Sequence, residues 1–197
     1  MIIKLISLKN VSNYLWDKRI LKNISWITEF GQNWAIIGPN GAGKSTLIKI
    51  ILGKIPYSGS IIKDQVFSDS KNIAHVSFEQ QKNLFQKEEK KDLYENFSGK
   101  KEHFLTGLEL LDPLGKNNKN LQKISKILNL NTILDKPFRY YSNGESRKTL
   151  IARAILGNPK LIILDEPFEG LDKTSVIELK SEISKLILNG FSIWLVT

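Results

Sequence analysis

The chain has 197 residues, 41% of them hydrophobic, a formal net charge of +9 and no cysteine. Disulfides and thiolate metal sites are thereby excluded, and the cytoplasm is the default compartment. No apolar run approaches the roughly 18 residues that span a bilayer, and residues 1–7 lack the length and cleavage pattern of a signal peptide. A role at a membrane would therefore be peripheral, on its inner face, through a separate membrane subunit. The lysines are spread along the chain amid Asn and Ile, so they read as solvated surface charge and nucleic acid is not the expected partner.

The first thirty residues alternate like sheet. Residues 2–11 and 20–30 predict two strands, with Tyr14, Leu15, Trp16, Asp17 and Lys18 as the turn of an antiparallel pair. Residues 34–37, Trp-Ala-Ile-Ile, read as a buried strand. Directly after them come Gly38, Pro39, Asn40, Gly41, Ala42, Gly43, Lys44, Ser45 and Thr46, a phosphate-binding loop in the order Gly, four residues, Gly-Lys-Ser. Each residue type has a task there. Glycines let successive backbone N–H groups curl around an anion, Lys44 reaches the outer phosphates, and the Ser45 hydroxyl is placed to ligate magnesium. Residues 46–52 carry apolar side chains at helical spacing up to Gly53, and a helix starting here adds its positive dipole end. A surface turn would need neither Lys44 nor the flanking strand and helix.

Residues 59–62 and 73–78 predict two short strands. From 80 to 140 the texture becomes charged and helical, with Leu93, Phe97, Phe104, Leu105, Leu108 and Leu111 as apolar positions, a loop over 112–120 and an amphipathic segment over 121–130. The expected organisation is an α/β core made of residues 1–79 and 141–197, with 80–140 as a helical subdomain inserted into it. Residues 145–156 predict a helix, 161–164 a continuous apolar strand of the buried parallel type, 175–188 a helix and 191–196 a last strand. Strands alternating with helices predict a mainly parallel sheet with ligands at its carboxyl end.

Two further motifs carry chemistry. Asp165 and Glu166 end the apolar strand, where unpaired charge is costly. A magnesium ion would offset that cost, Asp165 holding it directly or through water and Glu166 acting as general base or positioning the attacking water. The run Tyr141, Ser142, Asn143, Gly144, Glu145 stands just ahead of a helix. There Ser142 and the backbone donors near Gly144 form either a second anion site or an ordinary turn and cap.

With these motifs in this order, the chain resembles the ATP-binding cassette ATPases over nearly its whole length. The phosphate loop is similar to the family's Walker A, residues 161–166 to its Walker B with the catalytic glutamate, and residues 141–145 to its Leu-Ser-Gly-Gly-Gln signature, with Tyr141, Asn143 and Glu145 in place of Leu, Gly and Gln. Residues 146–154 look like the family's continuation, and Leu171-Asp172 resembles its D-loop. The resemblance implies a P-loop fold, ATP and Mg2+ as ligands, and a head-to-tail pair of cassettes in which Ser142, Asn143, Gly144 and Glu145 close over the partner's ATP. It implies further that the helical insertion meets a membrane permease, that a glutamine senses the γ-phosphate (Gln80 or Gln81, since strict alignment lands on Phe78), and that Trp16 or Tyr14 stacks on adenine. The family's switch histidine normally follows a strand like 193–197, where this sequence ends, and neither His75 nor His103 takes its place by motif order. A narrower similarity is to soluble tandem cassette ATPases of the molybdenum-transport-associated type, which carry two cassettes in one polypeptide.

The leading expectation is thus a subunit that binds and hydrolyses ATP, pairs with a second cassette (an identical chain or a tandem domain) and powers transport through a permease. Two alternatives stand beside it: a soluble cassette acting mechanically or in regulation on nucleic acid or ribosomes, and a truncated cassette that binds ATP without turnover.

Overall fold

The computed structural model describes residues 4–98, 104–114 and 119–197. Strands β1 (Lys4–Leu15) and β2 (Lys18–Glu29) form a long antiparallel hairpin, and β4 (Ser58–Lys63) pairs antiparallel with the other edge of β1. The turn is shorter than the sequence predicts. Strand pairing runs to Leu15 and Lys18, leaving Trp16 and Asp17 as its tip.

A second, parallel sheet has the order β3 (Trp34–Ile36), β7 (Ile193–Val196), β6 (Leu161–Asp165), β5 (Ile73–Ser77). Strand β6 shows why an unbroken apolar run was needed. Ile162 and Leu164 pack into one core with Leu111, Ile124, Ile151 and Ile183, whereas Leu161 and Ile163 pack into the other with helix α1 (Lys44–Ile51) and the antiparallel sheet. Both faces of the strand are covered, so both parities of its side chains must be apolar. Strand β3 departs from expectation. It lies at the sheet edge, Ala35 is exposed and Ile37, just past its end, is 77% exposed.

Helix α2 (Phe78–Ser98) springs directly from β5 and is followed by α3 (Gly107–Leu111) and α4 (Lys119–Ile127). Leu110, Leu111, Ile124, Leu128, Leu130, Ile133, Leu134 and Phe138 are buried in a core continuous with helices α5 (Asn143–Leu156) and α6 (Lys173–Leu188). Of the apolar positions read from sequence here, Leu111 is buried, Phe104 and Leu105 are half-buried and Leu108 is 39% exposed. The side chains of Leu93 and Phe97, His103, and residues 115–118 of the predicted loop lie outside the described residues. The loop gives way to α4 at Lys119, slightly before its predicted end.

Between α5 and α6 the Lys148 ammonium donates to Glu182 at 2.9 Å and to Glu178 at 3.1 Å, with Asn129 also donating to Glu182. Burial opposes the charge on Lys148, but the two carboxylates outweigh it and raise its pKa. The ion pairs tie α5 to α6, and Asn129 adds the segment that follows α4.

Candidate nucleotide site

The Walker-A-like loop is held at both ends by backbone. Gly38 N–H donates to the Thr197 carbonyl at 3.3 Å, and the Leu47 N–H reaches the Gly43 carbonyl at 2.8 Å as α1 begins. Gly41 (φ 82°) and Gly43 (φ 91°) both take left-handed backbone conformations. At Gly43 the space is closed as well, since a Cβ there would lie 2.8 Å from Leu21 Cδ2. The cap residue of α1 supplies no side-chain acceptor to the first turn. The first-turn N–H groups therefore remain free of any cap side chain, the arrangement that binds an anion.

Lys44 is buried, and its ammonium donates to the carbonyls of Gly38 (2.8 Å) and Pro39 (3.3 Å) while lying 3.4 Å from Glu166 Oε1. Ser45 Oγ donates to Asp165 Oδ1 at 3.1 Å. Asp165 is buried at the carboxyl end of β6, and its other oxygen, Oδ2, faces His75 Nε2 at 3.7 Å. Among the described residues both His75 ring nitrogens are buried without a hydrogen-bond partner. A hydroxyl and a carboxylate side by side next to an anion cradle are hard oxygen donors, the set that suits Mg2+.

These groups line a cleft of about 720 Å3 bounded by Asn40, Gly41, Gly43, Lys44, Ser45 and Thr46 on one side and Glu166, Phe168, Glu169 and Thr197 on the other, with Ile20 at its edge. Ala42 is turned into the loop, its N–H donating to Pro39 O at 3.1 Å. A smaller adjoining cavity collects Ser45, His75, Glu79, Lys82, Asp165 and Glu166.

Three groups read from the sequence are placed away from this cleft. Trp16 (91% exposed) and Tyr14 (56% exposed) do not line it; Tyr14 instead faces the Arg19 guanidinium, and Ile20 holds the cleft edge. Gln80 and Gln81 line neither the cleft nor the adjoining cavity. The Gln80 side chain accepts from Ser77 N at 3.1 Å at the start of α2. Gln81 is 1% exposed, accepting from Arg147 Nε at 2.6 Å and donating to the Asn143 carbonyl at 3.2 Å. Among the described residues, α2 lines the cavity beside Asp165 with Phe78, Glu79 and Lys82.

The signature-like segment also lies outside the chain's own cleft. Ser142 caps α5: its Oγ accepts from Glu145 N at 3.1 Å, and Glu145 Oε2 accepts from Ser142 N at 2.7 Å. Glutamate does this as well as glutamine, so Glu145 preserves the reciprocal cap. A Cβ on Gly144 would lie 3.2 Å from Ser175 Oγ, and Asn143 reaches the Gly170 carbonyl at 3.5 Å. Tyr141 is buried and donates to the Ile133 carbonyl; burial, followed by Glu145 and Asp135, pushes its pKa up to about 12. Asp172 caps α6 through Ser175, whose N–H and hydroxyl hold its carboxyl below the usual range.

Arg147 carries structural weight that its place in the sequence did not announce. It is 1% exposed, and burial lowers its pKa to about 10 against the opposing pull of Glu169. A charged residue one turn into a helix is ordinarily solvated, so composition and spacing offered no signal for it.

The sequence profile of the family described as ABC transporter matches residues 21–169. The chain is 32% identical to the ABC transporter ATP-binding protein ModF of Escherichia coli over 183 residues, 92% of this chain and 36% of that protein. It is 34% identical to the zinc import ATP-binding protein ZnuC of Photorhabdus laumondii over 183 residues, 92% of this chain and 63% of that protein, and 35% identical to ZnuC of Psychrobacter cryohalolentis, covering 93% and 68%. It thus spans about a third of ModF and under two thirds of the Photorhabdus protein. Among solved structures, CbiO1 of Clostridium perfringens, part of an ABC transporter complex, superposes with a TM-score of 0.77 at 23% identity over 99% of this chain and 78% of that one. An ATP-binding cassette of an ABC transporter in its ADP conformation gives 0.73 at 22%, over 98% and 81%. At these identities the likeness is one of fold.

Proposed function

The chain belongs to the ABC transporter family, and on that premise we propose that it is a nucleotide-binding cassette that hydrolyses Mg-ATP and couples hydrolysis to a separate membrane permease. The observation that carries the reading is that Lys44, Ser45 and Glu166 line one cleft at the carboxyl end of a parallel sheet, with Asp165 bonded to Ser45 in the adjoining cavity. In it the polyphosphate lies along residues 38–46, where backbone N–H groups and Lys44 meet its charge. Lys44 is already desolvated, and it exchanges two carbonyl acceptors for phosphate oxygens. Ser45 and Asp165 would hold Mg2+, which would supply neutralisation of charge on the phosphate oxygens. Glu166, whose Oε1 lies 3.4 Å from the Lys44 ammonium, has the reach to accept a proton from an attacking water.

The face presented by Ser142, Asn143, Gly144 and Glu145 lies outside this chain's own cleft, at the capped start of α5. It serves a second cassette, so two sites form between two copies or between this cassette and a related one. Among the described residues no helix is long and apolar enough to cross a membrane, and a permease would supply that part. What is moved is set outside this chain.

The test is binding of ATP with and without Mg2+. Lys44→Ala is expected to weaken ATP by tenfold or more in both conditions, while Asp165→Asn weakens it only when Mg2+ is present. Equal affinity of Lys44→Ala and wild type would remove the phosphate-loop assignment.

A further inference from the structure

Arg147 is the most deeply buried cation of the described residues, at 1% exposure, and among those residues no carboxylate pairs with it directly, Glu169 acting on it only at longer range. Its charge is met by three neutral oxygens. Nε donates to Gln81 Oε1 at 2.6 Å, one terminal nitrogen to the Glu166 carbonyl at 2.7 Å and the other to the Glu169 carbonyl at 3.2 Å. The Phe78 ring lies beneath the guanidinium, 5.1 Å from its carbon. Burying a guanidinium among neutral acceptors is costly, and the lowered pKa registers that cost. Two of its three donor nitrogens are spent on backbone carbonyls.

What they serve is the backbone of Glu166. This residue has φ 50°, a left-handed conformation that an L residue with a long side chain avoids. Its N–H is tied to the Val196 carbonyl at 2.8 Å, and its own carbonyl accepts from Arg147 at 2.7 Å and, at the longer distance of 3.3 Å, from the Glu169 N–H. With both flanking peptide groups fixed, the Cα–Cβ bond has one direction, and that direction brings Oε1 to 3.4 Å from Lys44. Without Arg147 the carbonyl would keep only the longer bond from Glu169 N–H, the residue could relax toward the extended conformation that Pro167 favours, and the carboxylate would swing away from Lys44.

We propose that Arg147 is the positioning residue for Glu166, holding its backbone left-handed so that the carboxylate faces the phosphate site, and that Gln81 extends this hold to helix α2. Gln81 links the two parts: the same amide accepts from Arg147 and donates to the Asn143 carbonyl in the signature-like segment. Displacement of α2 would therefore be felt at Glu166 without either glutamine touching phosphate. This rests on the reading of Glu166 as the hydrolytic base.

The test compares wild type, Arg147→Met, Arg147→Lys and Glu166→Gln by ATP affinity, steady-state turnover and amide hydrogen exchange over residues 166–170. Arg147→Met keeps the apolar stem and loses every donor; Arg147→Lys keeps the charge and one contact, and serves if the first variant does not fold. ATP affinity is expected to stay within about twofold, while turnover falls on the order of 100-fold in Arg147→Met, as a misplaced catalytic group does, and less in Arg147→Lys. Exchange at the Glu166 and Glu169 amides should rise at least tenfold while β6 and α1 stay protected. Unchanged exchange at 166–170, or turnover and affinity falling together, would overturn the proposal. Should wild type bind ATP without turning it over, the hydrolytic reading fails on its own, and the exchange data alone decide the role of Arg147.

Discussion

Gly43→Ala and Gly41→Ala form a matched pair that separates two reasons for a glycine. Both positions are left-handed, at φ 91° and 82°. An alanine at either therefore meets the backbone penalty of about 1–2 kcal/mol. Only at position 43 does the new methyl also meet atoms: Leu21 Cδ2 at 2.8 Å and Ile20 Cγ2 at 3.2 Å, against none within 4 Å at position 41. Leu21 is in the core and cannot swing freely, so the second term is an overpacking cost of about 1–3 kcal/mol. Gly43→Ala should therefore lose about 2–5 kcal/mol and Gly41→Ala about 1–2. At about 2–4 °C per kcal/mol for a chain of this size, the two should be separated by several degrees in thermal unfolding. ATP titration should show the larger loss of affinity for Gly43→Ala, because pushing residue 43 off Leu21 re-aims the N–H groups that open α1. Equal losses of stability in the two variants would refute the steric part of the reasoning.

Lys148→Met should cost about 3–5 kcal/mol, since it strands the buried Glu182 carboxylate; chemical denaturation should show Lys148→Met with Glu182→Leu recovering a large part of it. Ser142→Arg should leave ATP binding to a single cassette unchanged yet abolish ATP-dependent pairing by light scattering, and loss of binding in the monomer would contradict a role toward a second cassette. The depressed pKa of Asp172 means that its helix-capping contribution is full above its unfolded value and fades as pH falls through the lower folded value. Thermal scans between neutral and acid pH should show a shallower acid decline in Asp172→Asn than in wild type.

Where local chemistry dictates structure, the sequence was readable. The all-apolar β6 demands cover on both faces, and the Gly-rich loop followed by Lys44 and Ser45 can do little else than cradle phosphate at a helix start. Where tertiary placement decides, it was not. Trp-Ala-Ile-Ile reads as buried by composition, yet β3 is an edge strand and Ile37 projects to solvent, because periodicity does not report a strand's neighbours. Gln80 and Gln81 were equal candidates for the phosphate site in one dimension. In three, one caps α2 and the other turns inward to Arg147, and Glu79 and Lys82 on the intervening face meet the cavity beside Asp165. Arg147 was invisible for the same reason: a charged helical residue reads as surface until a strained carbonyl is found beneath it.

Magnesium-dependent ATP turnover across a range of protein concentrations, with Glu166→Gln alongside, tests the shared site most directly. Turnover that rises more than linearly with protein and vanishes in Glu166→Gln, while that variant still binds ATP, is the predicted result. Turnover that persists in Glu166→Gln, or that scales strictly linearly from a monomer, would contradict a shared site in which Glu166 is the base.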